Sequence, residues 1–188
     1  MLLFWCMLNR ISQYFKSNFS TAYFIIGLGI FFRLYYFFYN PPFWRDEIWV
    51  ALGSQHFSLT SFLLDSGGLV HAPLFMFIIK LSTIFFGLSD WSFRVPIVIV
   101  SIVNLFLFYN IIKKLLPKSC LTLALILFCF NDNLIFYSVQ LKPYQFDVFA
   151  VLVLLNFLYT LHSARLTTKN VCFYSILGAL FVWLSQPS

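Results

Sequence analysis

The sequence predicts an all-α polytopic membrane protein with about five transmembrane helices and juxtamembrane amphipathic helices in its first outer loop. Composition is the first reason. Of 188 residues, 61% are hydrophobic and 10% charged, with a mean hydropathy of +0.88, whereas soluble domains are about 45–50% apolar and about 25% charged. The aromatic load is the second: 26 Phe, 10 Tyr and 5 Trp suit an outer surface that meets lipid, with rings gathered at the membrane interfaces. Third, five apolar runs at 21–39, 94–112, 119–137, 147–162 and 171–185 approach the roughly 20 residues that a span requires. A disordered tail, a disulfide scaffold and an ordinary water-soluble enzyme are excluded together.

The chain opens with 1–20, read as a cytoplasmic N-terminal segment carrying Arg10 and Lys16. It is apolar before its first positive charge, and no small-residue cleavage site follows the first long apolar run, unlike a cleavable signal. Asn40-Pro41-Pro42 stops the first span, and Ser66-Gly67-Gly68 breaks the loop that follows because these residues favour turns over helix. The next run, 73–87, is ambiguous. At 1.5 Å per residue it reaches only about 22 Å, short of a hydrocarbon core of about 30 Å, and Lys80, Ser82 and Thr83 lie near its middle. It either spans poorly or lies in the interface as an amphipathic helix.

Positive charges arbitrate, since cytoplasmic loops carry the excess of Lys and Arg. If 73–87 spans, Arg10, Lys16, Arg94 and Lys142 are inside, against Arg45, Lys113, Lys114, Lys118, Arg165 and Lys169 outside. If it does not, Arg10, Lys16, Lys113, Lys114, Lys118, Arg165 and Lys169 are inside, against Arg45, Lys80, Arg94 and Lys142 outside. The second arrangement has the cytoplasmic excess, so five spans are expected, with an outer loop at 40–93. Asp46, Glu47, Asp65, Asp90 and Asp147 then share the non-cytoplasmic face or its border. Asp132 lies within about 8 Å of Tyr137 along the third span. With six spans, Asp46 and Asp147 would be on opposite sides.

The net charge of +6 is read as this topological signal; no basic stripe or stacking module points to nucleic acid. Cys6, Cys120, Cys129 and Cys172 show no metal-ligand spacing.

The densest polar constellation is Phe43-Trp44-Arg45-Asp46-Glu47-Ile48-Trp49. Adjacent carboxylates at a membrane surface could act as a general base, a cation site, or both. Alternatively, Asp46 caps a juxtamembrane helix while Trp44 and Trp49 anchor the interface. His71 could hydrogen-bond an anionic headgroup, with Lys80 reaching the same layer. Arg94 could meet a phosphate or snorkel to the headgroups, and Arg33 in the first span has the same two options. Asp147 stands at the mouth of an apolar span, where a carboxylate is costly without water or a partner; Lys142 is the nearest cation in sequence. No Gly-rich phosphate loop, HExxH or GxSxG occurs.

Four motifs in order carry a resemblance: Asp46-Glu47; Gly67-Gly68-Leu69-Val70-His71-Ala72-Pro73-Leu74-Phe75; Phe86-Gly87-Leu88-Ser89-Asp90 leading to Arg94-Val95-Pro96; and Tyr137-Ser138 through Leu141-Lys142-Pro143-Tyr144 to Asp147. Residues 21–188 resemble the N-terminal part of the polytopic GT-C glycosyltransferases related to protein O-mannosyltransferases and aminoarabinose lipid A transferases. The resemblance implies a multi-pass protein of a bacterial inner membrane, with the N-terminus cytoplasmic and the active site on the outer face. It implies inverting transfer of a sugar from a polyprenyl-phosphate donor to a lipid, glycan or protein acceptor. Asp46, Glu47 and Asp147 match catalytic acids, and His71, Lys80, Arg94 and Lys142 are the candidates to hold the lipid phosphate. Some relatives work without a metal, so the resemblance implies no firm cofactor, although the carboxylates could hold a divalent cation.

Two departures stand out. Gln140 occupies a position where close relatives carry Glu, and Gln neither titrates nor holds charge. Family members are also much longer, so the chain is expected to be a truncated module, inactive alone, with a second chain as one source of the missing C-terminal half. The competing expectation is a non-enzymatic membrane assembly or transport subunit whose acids line a polar cavity.

Overall fold

The computed structural model describes residues 2–56, 72–163 and 168–184, and these are helical with connecting turns and no strand. The helices are α1 (Leu2–Tyr39), α2 (Arg45–His56), α3 (Pro73–Phe86), α4 (Asp90–Leu115), α5 (Lys118–Cys129), α6 (Asp132–Phe136), α7 (Tyr144–Ser163) and α8 (Thr168–Leu184). Thr21–Tyr39 and Asp90–Leu115 are long and apolar enough to cross a membrane, while Pro73–Phe86, Cys120–Cys129 and Tyr144–Tyr159 are shorter apolar helices. Large apolar side chains face outward along the bundle, among them Phe24, Phe31, Ile84, Phe85, Leu127 and Leu158. A water-soluble monomer rarely exposes so much contiguous apolar surface; a lipid-facing one does.

Helix ends follow local chemistry. α1 ends where Asn40 adopts a left-handed φ of 47°, a conformation Asn tolerates, and Pro41 then bars further helix. α3 ends at Gly87, whose φ is 80°. α4 starts at Asp90, four residues before the apolar run, because Ser89 caps it: Ser89 Oγ accepts from Ser92 N at 3.3 Å. Pro96 lies inside α4 and has no N–H for the Ser92 carbonyl one turn back. The Ser82 hydroxyl of α3 donates to that carbonyl instead, at 2.6 Å, so the proline defect is filled from the neighbouring helix.

The expected span 119–137 is corrected. It is two helices with a break at Phe130–Asn131, because Asn131 Oδ1 accepts from Leu134 N at 3.0 Å and starts α6 afresh. The break leaves the Cys129 carbonyl without its helical partner. Arg33, 1% exposed in α1, fills the gap: its Nη1 donates to Cys129 O at 3.1 Å and to Gly29 O at 3.0 Å. Gly29 permits this approach, since a Cβ there would stand 3.2 Å from Cys129 Cβ. Arg33 therefore does not snorkel. Its Nε has no hydrogen-bond partner among the described atoms.

Two buried apolar clusters hold the bundle. One joins α1, α4 and α5 through Ala22, Ile25, Ile26, Leu105, Tyr109, Ile112, Leu125 and Cys129. The other joins α2, α3, α4, α7 and α8 through Val50, Phe75, Met76, Ile79, Phe93, Ile97, Leu141, Phe146 and Leu184. α4 runs through both.

Candidate active site

The end of α1, the start of α2, the start of α4 and the 137–144 turn meet at one end of the bundle. Two buried charges tie them. Arg94, 1% exposed, donates from Nη1 to Asn40 Oδ1 at 2.6 Å and from Nη2 to the Pro41 carbonyl, and its guanidinium lies 4.6 Å from the Phe43 ring centroid. Both segments that flank the 41–93 stretch are thereby held together. Glu47, 2% exposed, accepts from Trp44 N at 2.9 Å and from Leu141 N. The first bond is the half of a capping box in which a third-position Glu returns to the N-cap amide; the second reaches across the chain to the turn. The helix that Asp46 was expected to cap is therefore capped by Glu47.

Asp46 is left to project. It lines an open cavity of about 230 Å³ together with Trp44, Glu47, Phe136, Tyr137, Gln140, Lys142 and Tyr144. Lys142 Nζ lies 3.6 Å from Asp46 Oδ2, with side-chain exposures of 17% and 74%. The sequence neighbour of Lys142 is Asp147, but the observed ion pair is with Asp46, because the 137–144 turn folds over the start of α2. Lys142 N donates to Gln140 O at 2.7 Å within that turn.

The cavity thus gathers Asp46, Glu47, Lys142 and Gln140. Asp147 does not line it; it is half-buried in the first turn of α7, its amide donating to Pro143 O at 3.0 Å. Lys80 donates to Gln55 O at 3.2 Å, near the far end of α2, about 14 Å along the axis from Asp46 at 1.5 Å per residue. Arg94 spends both terminal nitrogens on the α1 exit. His71 and Asp65 lie outside the described residues. Among the described residues, no three of His, Cys, Asp and Glu come together as a metal site.

Sequence reasoning missed a second support. Asn104, 1% exposed within α4, donates from Nδ2 to Gln145 O at 2.9 Å and Gln145 Oε1 at 3.3 Å, while Gln145 Nε2 donates to Leu134 O at 2.9 Å. This chain of bonds fixes the start of α7, next to Tyr144 of the cavity wall, and α6 to one another and to α4. An Asn inside an apolar span was the available signal, since such a group needs a partner.

A comparison with protein families matches residues 70–183 to the family described as dolichyl-phosphate-mannose-protein mannosyltransferase. The match covers more than half of the chain and includes the Phe136–Tyr144 wall and Lys142; Asp46 and Glu47 precede it. No curated protein matches the chain, and no solved structure does.

Proposed function

Because the chain belongs to the dolichyl-phosphate-mannose-protein mannosyltransferase family, a GT-C glycosyltransferase family of membranes, we propose that it transfers a sugar from a polyprenyl-phosphate donor to an acceptor hydroxyl, with inversion, on the non-cytoplasmic face. The observation that carries this reading is the Asp46–Lys142 pair at the mouth of an aromatic-walled cavity. Asp46 is the general base. It takes the acceptor hydroxyl proton as that oxygen bonds to the anomeric carbon, and the bond from that carbon to the phosphate oxygen breaks. Lys142 balances the negative charge that develops on the departing phosphate. The donor phosphate competes with Asp46 for Lys142, so donor binding exchanges one ion pair for another and releases the carboxylate toward the acceptor.

Glu47 is a positioning residue in this scheme. Both of its oxygens are occupied by main-chain amides, and its bonds hold Asp46 and Lys142 on facing walls. Arg94 and Lys80 serve the scaffold, and Asp147 supports the start of α7. The Asn40–Arg94 contact favours an outer loop that leaves and returns at one end of the bundle, as five spans require. Lys113 and Lys114, in the last turn of α4, lie at the other end, where the positive-inside rule would put the cytoplasm.

The test is mannose transfer from polyprenyl-phosphate mannose in native membranes, which supply any second chain the module needs, by wild type and Asp46→Asn. Loss of a general base lowers the rate about 10²–10⁴-fold. Undiminished transfer by Asp46→Asn would remove Asp46 from its role, and indifference of the protein to lipid-linked sugars would favour a non-enzymatic subunit.

A further inference from the structure

The end of the bundle away from the cavity carries charge of one sign. The acids of the chain are Asp46, Glu47, Asp65, Asp90, Asp132 and Asp147, so 91–131 and 148–188 contain none. The last turn of α4 and the start of α5 nevertheless hold Lys113, Lys114 and Lys118, all exposed. At 1.5 Å per residue, Asp90 stands about 36 Å from Lys114 along α4, and about 18 Å of α5 separates Lys118 from Asp132. Among the described residues, no carboxylate pairs with Lys113 or Lys114.

These two ammonium groups are held in place by neighbours that leave their charge unbalanced. Lys114 Nζ donates to Asn156 Oδ1 of α7 at 2.6 Å and lies 5.4 Å from the Tyr159 ring centroid. Lys113 Nζ lies 5.7 Å from the Tyr109 ring centroid, and Tyr109 meets Tyr23 of α1 edge to face at 5.9 Å. Rings at this range attract a cation, but neither a ring nor an amide neutralises it. Lys114 is thus drawn toward α7 and Lys113 toward the α1–α4 contact.

The turn between the helices adds to the imbalance. Cations suit the C-terminal end of α4, but Lys118 stands at the N-terminal end of α5, where the macrodipole disfavours one. Pro117 caps that end with no side-chain hydrogen bond, and no acid lies in its first turn. Leu115 and Leu116 are exposed between the lysines, so positive charge and apolar surface adjoin on one turn. A small anion would answer the charge and leave the leucines uncovered; a lipid with a phosphate headgroup answers both.

We infer that the α4–α5 turn binds the phosphodiester headgroup of an anionic phospholipid through Lys113 and Lys114, with Leu115 and Leu116 against its acyl chains. The site lies at the opposite end of the bundle from the Asp46 cavity and does not depend on sugar transfer.

The experiment is equilibrium binding of fluorescent-chain phosphatidylglycerol and phosphatidylcholine to the full chain in detergent micelles. A Lys near the membrane surface raises the affinity for anionic lipid about fivefold, so wild type is expected to prefer phosphatidylglycerol about 25-fold through the pair. The double substitution Lys113→Gln and Lys114→Gln lowers that preference to about fivefold or less and keeps the binding of phosphatidylcholine, which reports that the variant is folded. Lys113→Arg with Lys114→Arg keeps the preference, and so does Arg10→Gln with Lys16→Gln, which removes the same charge from the N-terminal segment. Equal binding of the two lipids by wild type overturns the site. A preference that survives the Lys113→Gln, Lys114→Gln change overturns it too, as does one lost equally in the Arg10→Gln, Lys16→Gln variant, since the attraction then belongs to the general charge of the chain. Excess inorganic phosphate should leave the lipid bound; displacement would overturn the lipid as occupant in favour of free phosphate. Should the Lys113→Gln, Lys114→Gln variant fail to fold, wild type at rising salt carries the test. Its preference should fall as exposed charges are screened, and a preference indifferent to salt overturns the role of the lysines.

Discussion

The two clusters of the bundle are held by different means. Around α1, α4 and α5, packing is apolar over most of its length and one buried charge, Arg33, meets one broken helix end. At the cavity end, apolar packing is interleaved with Glu47, Arg94, Ser82, Asn104 and Gln145, each engaged with main-chain atoms of a different segment. The first region joins continuous helices whose backbones satisfy themselves. The second joins helix ends and turns, whose free amides and carbonyls must find partners where little water reaches them. Precision at the site is therefore expected to depend on single polar side chains, and stability of the other cluster on volume.

Substitutions can break or sharpen that contrast. The largest stability loss is expected at Glu47. Charge-assisted hydrogen bonds contribute about 1.5–3 kcal/mol each, and Glu47→Ala removes two, so thermal unfolding in detergent should fall by roughly 6–24 °C for a chain of this size. Glu47→Gln keeps one acceptor oxygen and should fall between the two. A Glu47→Ala protein that unfolds like wild type would remove the clamp from the account.

Arg33 comes next. Arg33→Met strands the Cys129 carbonyl, a loss of about 1–3 kcal/mol, and Arg33→Lys should recover part of it. Gly29→Ala tests the same junction through volume. Its Cβ would lie 3.2 Å from Cys129 Cβ, and the crowding is expected to cost about 1–3 kcal/mol. Equal stability of all three with wild type would show that the break at Phe130–Asn131 needs no support from α1.

These supports also show what the sequence could and could not reveal. The all-helical apolar character, the stop of α1 at Asn40-Pro41 and the acid-rich start of α2 follow from hydropathy, charge and turn residues, which are local. The break at Phe130–Asn131 was legible too: Asn131-Asp132 is a helix-start signal, but the surrounding apolar run concealed it. Glu47–Leu141, Arg94–Pro41 and Arg33–Cys129 were not legible. Their acceptors and donors are main-chain groups that every residue possesses, so no complementary side chain marks the partner. The Asp46–Lys142 pair was hidden by the opposite problem, since Asp147 offered a nearer carboxylate of the same charge.

The smallest effect is expected at the α3–α4 contact. Ser82→Ala removes the donor to Ser92 O and should cost about 1 kcal/mol. Pro96→Ala restores a helical N–H to that carbonyl, so Ser82→Ala should be nearly silent in the Pro96→Ala background. A strictly additive double-mutant cycle would show that the Ser82 hydroxyl does not fill the proline gap.

The most direct measurement pairs activity with stability in one variant. Asp46 is the exposed partner of a surface ion pair, and such pairs contribute about 0–1 kcal/mol. Asp46→Asn should therefore unfold within a few degrees of wild type, yet transfer mannose from polyprenyl-phosphate mannose at least about 100-fold more slowly. Wild-type transfer by a well-folded Asp46→Asn protein would contradict the assignment of the cavity as the site of glycosyl transfer.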